Sequence, residues 1–265
     1  MPTLNEAQIR QFEADGYLIV EDAFNAKEVA QIRRIVQEDP KMAAEAKTNH
    51  NYDEGEEGLG TRLVNRSRLI DDVFSACVRS RRIVDPLEQL LGDEVCHYYH
   101  LTMLKNANTG GWQWHQDYGY HYKEFFYPDL VSVMVALDPA TRDNGCLRVV
   151  RGSHRVGRLE HWDSGSQLIA DPERVETALR EMEEVHCEMT PGSVLYFHGN
   201  VLHASHPNLS SQPRWAFIFA YVGASNVIVL PDAPDDLLTR IDKLDDAEVA
   251  AAIARHLEEI EVSST

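Results

Sequence analysis

The 265-residue chain lacks the features of a membrane, secreted or nucleic-acid-binding protein. It has no run of about 18 apolar residues, so we expect no membrane-spanning helix and no membrane insertion. The start, MPTLNEAQIR, has no basic segment followed by an apolar one, so we expect no signal peptide. Basic residues are few, 25 against 43 acidic ones, and the formal net charge is −18. Because a surface this acidic repels phosphate backbones, we expect no nucleic acid among the partners.

Cysteine is also sparse, and its four positions form no CxxC pair. They are Cys77, Cys96, Cys146 and Cys187. Single, widely spaced cysteines are typical of buried free thiols in a reducing compartment and not of a disulfide framework. The sequence therefore predicts a cytoplasmic protein.

The two ends of the chain have helical patterns. An amphipathic helix is predicted over 4–15, ended by Gly16, and a second helix is capped by Asn25. Further helical patterns cover about 68–92 and 246–260. The polar, Gly-rich stretch 49–60 is predicted to be a mobile loop that orders with substrate, as is the loop at about 155–172.

The middle of the chain consists of short runs rich in β-branched and aromatic residues. Turn signals such as Asp143-Asn144-Gly145 separate several of these runs, and a helical insert at about 171–183 interrupts them. Many short strands with such punctuation favour a barrel or sandwich. We predict an α+β fold with a mainly β core, buttressed by N- and C-terminal helices, and one domain over residues 1–265.

The stretch WQWHQD, residues 112–117, contains two candidate metal ligands. If 112–118 form a strand, His115 and Asp117 point to the same face, because side chains alternate with a period of two. His203 is the best candidate for a third ligand. Two histidines and one carboxylate suit non-haem Fe(II), with positions left open for reactants. An ordinary polar pair at a strand end explains the motif equally well, so the motif alone leaves both interpretations open.

Arg214 begins RWAFIFA, which has the pattern of a buried strand. A buried arginine is costly unless it is paired, and no acidic residue nearby in the sequence supplies a partner. A bound dicarboxylate would supply the missing charge through two parallel hydrogen bonds. The alternative is a surface arginine at the end of a strand.

Together these motifs resemble the phytanoyl-CoA dioxygenase family of Fe(II)/2-oxoglutarate oxygenases, which also includes ectoine and proline hydroxylases. The matching pieces are His115-Gln116-Asp117, Asp143-Asn144-Gly145-Cys146-Leu147, Gly152-Ser153-His154, Pro191-Gly192-Ser193, and His203-Ala204-Ser205 with Asn208 and Arg214. They span about residues 95–222. The resemblance implies a double-stranded β-helix, a cupin-like jelly roll, with iron in its narrow mouth.

The resemblance also implies a role for particular side chains. His115, Asp117 and His203 would be the iron ligands and catalytic residues, Arg214 and Ser205 would bind the distal carboxylate of 2-oxoglutarate, and Met103 and Met134 would line the cosubstrate pocket. Methionine in a strand fits core packing as well as a pocket wall. Tyr118 and Tyr120 follow the metal motif directly and are predicted to form a wall of the substrate pocket.

The predicted function is therefore Fe(II)- and 2-oxoglutarate-dependent hydroxylation of an unactivated C–H bond in a small molecule. Iron, 2-oxoglutarate and O2 are needed, ascorbate supports the reaction, and succinate and CO2 are released. Halogenating relatives have a small residue in place of the carboxylate of Asp117, so hydroxylation is favoured. Two alternatives stay open: a non-catalytic 2-oxoglutarate-binding protein, and a cupin-like enzyme that uses another divalent metal. The sequence indicates neither the substrate nor the oligomeric state.

Overall fold

A computed structural model of the chain describes residues 3–50, 60–165 and 167–263. Within these ranges the helices are α1 (Glu6–Asp15), α2 (Ala26–Glu38), α3 (Pro40–Glu45), α4 (Val73–Val78), α5 (Arg81–Leu91), α6 (Asp117–His121), α7 (Pro172–Glu181) and α8 (Asp246–Ser263). The strands are β1 (Tyr17–Val20), β2 (Lys47–His50), β3 (Gly60–Arg66), β4 (Val95–Lys105), β5 (Trp112–His115), β6 (Leu130–Ala136), β7 (Leu147–Val150), β8 (His161–Asp163), β9 (Leu168–Ala170), β10 (Glu184–Cys187), β11 (Val194–His198), β12 (His203–Ser205), β13 (Arg214–Gly223) and β14 (Thr239–Arg240). Residues 51–59, most of the predicted mobile loop, lie outside the described ranges.

The strands form a large sheet and a small sheet, with every strand pair antiparallel. The large sheet has the order β1-β11-β6-β13-β4-β3-β2, and β14 also pairs with β4. The small sheet has the order β10-β7-β12-β5, while β8 and β9 form a separate hairpin. Strands that are distant in sequence are neighbours in each sheet, which is typical of the jelly-roll arrangement. The predicted α+β fold with a double-stranded β-helix core is confirmed.

The predicted starts and ends of the first two helices agree with their local chemistry. The side chain of Asn25 accepts hydrogen bonds from the amides of Lys27 and Glu28 at the start of α2, and Glu28 bonds back to the Asn25 amide. This capping box satisfies amides that have no partner inside the helix. At the end of α1, Gly16 has a φ of 80°, a left-handed conformation that glycine adopts without steric cost.

The helical pattern predicted over about 68–92 corresponds to two helices in the structure, α4 and α5. The side chain of Ser80 accepts a hydrogen bond from the Arg82 amide and caps α5. The amide of Arg81 donates to the carbonyl of Leu244, far along the chain. A local cap and a tertiary contact therefore interrupt a pattern that is helical on both sides.

Helices cover one face of the large sheet. Buried residues of α2, α4, α5 and α8 share one apolar cluster with residues of β6, β11 and β13. This layer leaves the opposite face of the large sheet free to pack against the small sheet, and the candidate site lies between the two sheets. None of the helices in the described residues is long and apolar enough to cross a membrane.

Candidate active site

The two candidate histidine ligands lie on adjacent strands of the small sheet. His115, the last residue of β5, is the direct cross-strand partner of His203, the first residue of β12. Their ring centroids are 4.0 Å apart. Each ring binds a backbone carbonyl through Nδ1: His115 to Gln113 at 2.7 Å and His203 to Val201 at 2.9 Å. This leaves the Nε2 atom of each ring directed to the same place, as second-shell hydrogen bonds do in metal sites.

Asp117 reaches the same place by a route that the sequence interpretation missed. The predicted strand over 112–118 is wrong at its end, because β5 stops at His115 and Asp117 is the first residue of α6. The Asp117 Oδ1 atom lies 3.5 Å from Nε2 of His203 and 3.8 Å from Nε2 of His115. One possible ligand atom from each of the three residues lies within 4.8 Å of the others. The sequence therefore predicted correctly that His115 and Asp117 lie close together, but the reason, a shared strand, is wrong.

Gln116 explains why the chain leaves the strand before Asp117. Its side-chain amide donates to the carbonyls of Gly157 and Asn200 at 2.8 and 2.7 Å, and its Oε1 accepts from the Leu159 amide. Its own backbone amide donates to Nε2 of His161 at 3.0 Å. Gln116 is fully buried, and these four bonds direct the backbone away from β12. His161 therefore has a structural role here.

The electrostatics of the three residues favour a bound cation. Burial alone would raise the pKa of Asp117, but His203, His115 and a hydrogen bond from the Ser132 hydroxyl outweigh burial and lower it. Burial, together with the neighbouring His203, lowers the pKa of His115 to about 3. Burial alone would lower the pKa of His203, but Asp117 outweighs burial and raises it, so a metal ion would take the place of a proton on that ring. An ionised carboxylate beside two imidazoles is the donor set that a divalent transition metal accepts.

Arg214, the first residue of β13, lies in the same cavity as the three residues and is only 1% exposed. Its guanidinium contacts the sulfur atoms of Met103 at 3.5 Å and Met134 at 3.9 Å, and Nε is buried with no hydrogen-bond partner among the described residues. Burial lowers the pKa of Arg214 to about 10, so the group is still charged at neutral pH. A buried cation held only by thioethers requires an anion. The alternative of a surface arginine is therefore wrong.

Lys105 is a buried cation that the sequence interpretation missed. It is the cross-strand partner of Arg214 on β4, so the two side chains lie on the same face of the sheet. Its ammonium donates to the Ser205 hydroxyl at 3.1 Å, to the Gly145 carbonyl at 3.2 Å and to the His206 carbonyl. Gly145, with a φ of 71°, has no room for a Cβ atom beside that ammonium and the carbonyl of His206. A second buried positive charge so close to Arg214 makes this end of the cavity more favourable for an anion.

The cavity that contains these groups has a volume of about 210 Å³. Among its lining residues are the three candidate ligands, Arg214, Ser205, Met103 and Met134, all of which the sequence had singled out. The cavity therefore has one end with the candidate metal ligands and another end with the cationic Arg214, and an apolar wall joins the two ends. A small dicarboxylate with a chelating group at one end fits this distribution of charge.

The two tyrosines predicted to line the substrate pocket have different positions. Tyr120 lines the cavity, and its ring stacks on His115 with centroids 5.1 Å apart and planes 9° apart. The ring of Tyr118 is instead packed in a satellite core with Phe125, and its hydroxyl donates to the carbonyls of Phe125 and Phe126. The prediction for Tyr118 is therefore wrong, because residues two positions apart on a helix, such as Tyr118 and Tyr120, face nearly opposite sides.

The fold and the geometry of this site define a cupin-like protein with two histidines and one carboxylate that could hold a metal ion. The chain belongs to the phytanoyl-CoA dioxygenase family: the family model "Phytanoyl-CoA dioxygenase (PhyH)" matches residues 12–216. As a member of this family it is a non-haem dioxygenase that uses Fe(II) and 2-oxoglutarate, as the resemblance implied.

Curated relatives match most of the chain. L-Proline trans-4-hydroxylase of Streptomyces griseoviridis is 27% identical over 255 residues, which are 89% of this chain and 93% of the relative. Ectoine dioxygenase of Sphingopyxis alaskensis is 29% identical over 86% of this chain and 79% of the relative. A probable alpha-ketoglutarate-dependent hypophosphite dioxygenase of Stutzerimonas stutzeri is 29% identical over 82% and 78%.

Solved structures support the same fold. The crystal structure of EctD from S. alaskensis with 2-oxoglutarate and 5-hydroxyectoine matches with a TM-score of 0.73 and 23% identity, covering 91% of this chain and 88% of that one. The epimerase SnoN from nogalamycin biosynthesis matches with a TM-score of 0.68 and 19% identity, covering 88% and 87%. At these identities the likeness establishes the fold.

Proposed function

We propose that this chain hydroxylates an unactivated C–H bond of a small-molecule substrate, with the release of succinate and CO2. The observation that supports this most directly is the shared cavity: the three possible ligand atoms within 4.8 Å of one another, and a buried guanidinium in the same cavity. A cupin-like enzyme with another metal would leave Arg214 without a function. Iron with 2-oxoglutarate and oxygen supplies the oxidising power for such a bond.

In this proposal each side chain of the site has one task. His115, Asp117 and His203 hold the iron from three of its positions, so that other positions stay available to reactants. Arg214 binds the distal carboxylate of 2-oxoglutarate, and Ser205 donates its hydroxyl to the same group. Lys105 donates to the Ser205 oxygen, which leaves the Ser205 hydrogen free to point at the carboxylate.

The remaining cavity residues orient the guanidinium of Arg214 and exclude water from the cavity. Met103 and Met134 pack on the guanidinium of Arg214 and limit the directions in which it can donate. A dry cavity strengthens the attraction between Arg214 and a carboxylate, because little water screens it. The apolar wall also protects a reactive site from side reactions with solvent.

We further propose that residues 1–265 act as a single domain in the cytoplasm with a small-molecule partner. The single domain is supported by the cluster in which Leu4, near the start, and Ile260, near the end, share one core with the large sheet. The cytoplasmic location is supported by the four cysteines, which are free and buried, as is typical of a reducing compartment.

The proposed function is tested by succinate release. The purified protein, given Fe(II), ascorbate, oxygen and 2-oxoglutarate, should release succinate slowly even without substrate, and Asp117→Ala should abolish this release. Asp71→Ala is the matched control, because Asp71 lies on the surface in an exposed ion pair that contributes little. Release that survives in Asp117→Ala, or that is equally lost in Asp71→Ala, would contradict the role given to Asp117.

A further inference from the structure

A second cavity, which we call the outer cleft, adjoins the cavity of the candidate iron site. It has a volume of about 680 Å³, within the range of small-molecule sites, and shares Tyr99, Leu101 and Tyr120 with the inner cavity. Tyr120 also stacks on the ring of His115. A molecule bound in the outer cleft therefore lies beside the candidate metal ligands.

The inner end of the outer cleft has an aromatic wall. Tyr98 and Tyr99 pack edge to face with ring centroids 5.1 Å apart, and His121 lies 5.7 Å from Tyr99 and 6.3 Å from Tyr120. Burial raises the pKa of each of these three tyrosines, so they are neutral phenols. The faces of such rings carry partial negative charge and attract cations.

His121 adds a hydrogen-bond acceptor of fixed orientation to this wall. Its Nδ1 lies 2.7 Å from Oε2 of Glu124, and the Tyr98 hydroxyl donates to the same oxygen at 2.6 Å. Burial alone would raise the pKa of Glu124, but these two hydrogen bonds outweigh it and keep the carboxylate ionised. An ionised carboxylate accepts only, so Nδ1 carries a hydrogen, and in the tautomer with a single ring hydrogen Nε2 is the acceptor.

The outer end of the cleft is marked by an ion pair. Arg68 and Asp236 both line the cleft, 2.7 Å apart, with side chains that are 75% and 52% exposed. Because the arginine is already paired and largely in solvent, it offers little to a ligand at the inner end. The inner end therefore presents π faces and an acceptor, and the net charge of −18 attracts cations to the whole molecule.

We propose that the outer cleft binds a substrate with a protonated amine, whose ammonium group lies on the tyrosine faces and donates to Nε2 of His121. The carbon frame of the substrate then extends past Tyr120 towards the metal ligands. This inference rests on the proposed function and names its class of substrate. His121 is the residue that selects the amine, and Glu124 and Tyr98 are the residues that position His121.

The test uses amines, alcohols and carboxylic acids built on the same butyl, cyclopentyl and cyclohexyl frames. Binding is measured by calorimetry under argon to protein loaded with Fe(II) and 2-oxoglutarate, and stimulation of succinate release is measured in air. For each frame the amine should bind most tightly and stimulate most. The inference is overturned if an alcohol or acid of the same frame equals the amine, or if no amine binds.

Two variants show whether His121 is responsible. His121→Phe keeps a ring but removes the acceptor, so the preference for amine over alcohol should fall about tenfold or more. Tyr98→Phe should weaken the preference less, and Tyr127→Phe, an exposed tyrosine outside the cleft, should leave it unchanged. A wild-type preference in His121→Phe would remove His121 from the site. Protein that does not bind 2-oxoglutarate would overturn the proposed function and this inference with it, whereas normal 2-oxoglutarate binding without amine preference would overturn the inference alone.

Discussion

Strand β4 contributes to two buried polar regions that differ in how their charges and hydrogen bonds are arranged. At its C-terminal end, Met103 lines the cavity that holds the candidate ligands, and Lys105 donates to Ser205 of that cavity. Near its N-terminal end, His97 and His100 lie in the core, where the ring of His100 packs edge to face on Phe219 of the helix-covered cluster. Each region contains a close pair of buried histidines, but only one pair has the geometry of a metal site.

The difference between the two pairs lies in what their nitrogen atoms bind. His115 and His203 each use Nδ1 for a backbone carbonyl and direct Nε2 at Asp117. His97 and His100 instead bind each other, Nε2 to Nδ1 at 2.9 Å, and their other nitrogens are buried with no partner among the described residues. Buried histidines alone therefore do not make a metal site. A carboxylate and two fixed ring orientations do.

The largest expected effect separates the two histidine pairs by metal affinity. His203→Ala removes one of three ligands and should lower Fe(II) affinity by on the order of 100-fold or more, since even residues that only orient ligands contribute 10- to 100-fold. His97→Leu should leave Fe(II) affinity unchanged. Calorimetric titration of the apoprotein with Fe(II) under argon measures both. Equal losses in the two variants would show that the structure misidentifies which pair binds the metal.

The second effect concerns the buried charge of the cavity. Arg214→Met should weaken 2-oxoglutarate binding by about 2–5 kcal/mol, the usual loss when one partner of a buried charged pair is truncated. Fe(II) affinity should stay near that of the wild type. Arg10→Met, on the surface of α1, is the matched control. An unchanged dissociation constant for 2-oxoglutarate in Arg214→Met would place the cosubstrate carboxylate elsewhere.

The third effect concerns the pH dependence of stability at the other pair. Burial lowers the pKa of His97 to about 4, and burial with the neighbouring His97 and Arg66 lowers that of His100 to about 3. The unfolded chain therefore binds protons that the folded chain does not, and stability is lost as the pH falls from about 6.5 towards about 4. For His97 this loss is on the order of 2 kcal/mol at pH 5.

Urea unfolding of wild type and His97→Leu at pH 7 and pH 5 measures this loss. The fall in stability between the two pH values should be smaller in the variant, because one histidine with a lowered pKa is gone. An identical fall in both proteins would show that other groups, such as the candidate ligands, account for the acid sensitivity.

The smallest effect concerns Lys105. Lys105→Met removes the hydrogen bond that orients Ser205 and should weaken 2-oxoglutarate binding by about 0.5–1.5 kcal/mol, the net value of one hydrogen bond. Lys105→Arg, which keeps a donor, should restore part of the affinity. The half-saturating 2-oxoglutarate concentration should change more than the maximal rate. A fall in maximal rate alone would indicate a purely structural role for the lysine.

The sequence predicted the β core, the cavity residues and the buried arginine well, because these depend on pattern and on charge burial. A strand pattern that begins with arginine gave Arg214 directly. The sequence did not predict the burial of Lys105, because a lysine at the end of a strand is usually solvated. Only the register with β13 shows that this lysine is buried. The sequence placed Asp117 on a strand, because the four hydrogen bonds of Gln116 that turn the chain involve residues 41 to 84 positions away.

The histidines show the same limit. The sequence offers twelve of them, and the nearby Asp117 distinguishes His115, but nothing local distinguishes His203 from the pair at 97 and 100. The distinction depends on tertiary contacts: the cross-strand register of β5 with β12, and the position of Asp117 next to Ser132. The motif order of the family supplied what local chemistry did not.

The most direct test of the central claim is an anaerobic titration of the Fe(II)-loaded protein with 2-oxoglutarate, followed by visible absorption. The account predicts a weak charge-transfer band that saturates in the wild type and in His97→Leu, does not form in Asp117→Ala, and needs much more 2-oxoglutarate in Arg214→Met. A band that is missing from folded, iron-loaded wild-type protein would contradict the account. The chain would then be better explained as a cupin-like protein that uses another metal.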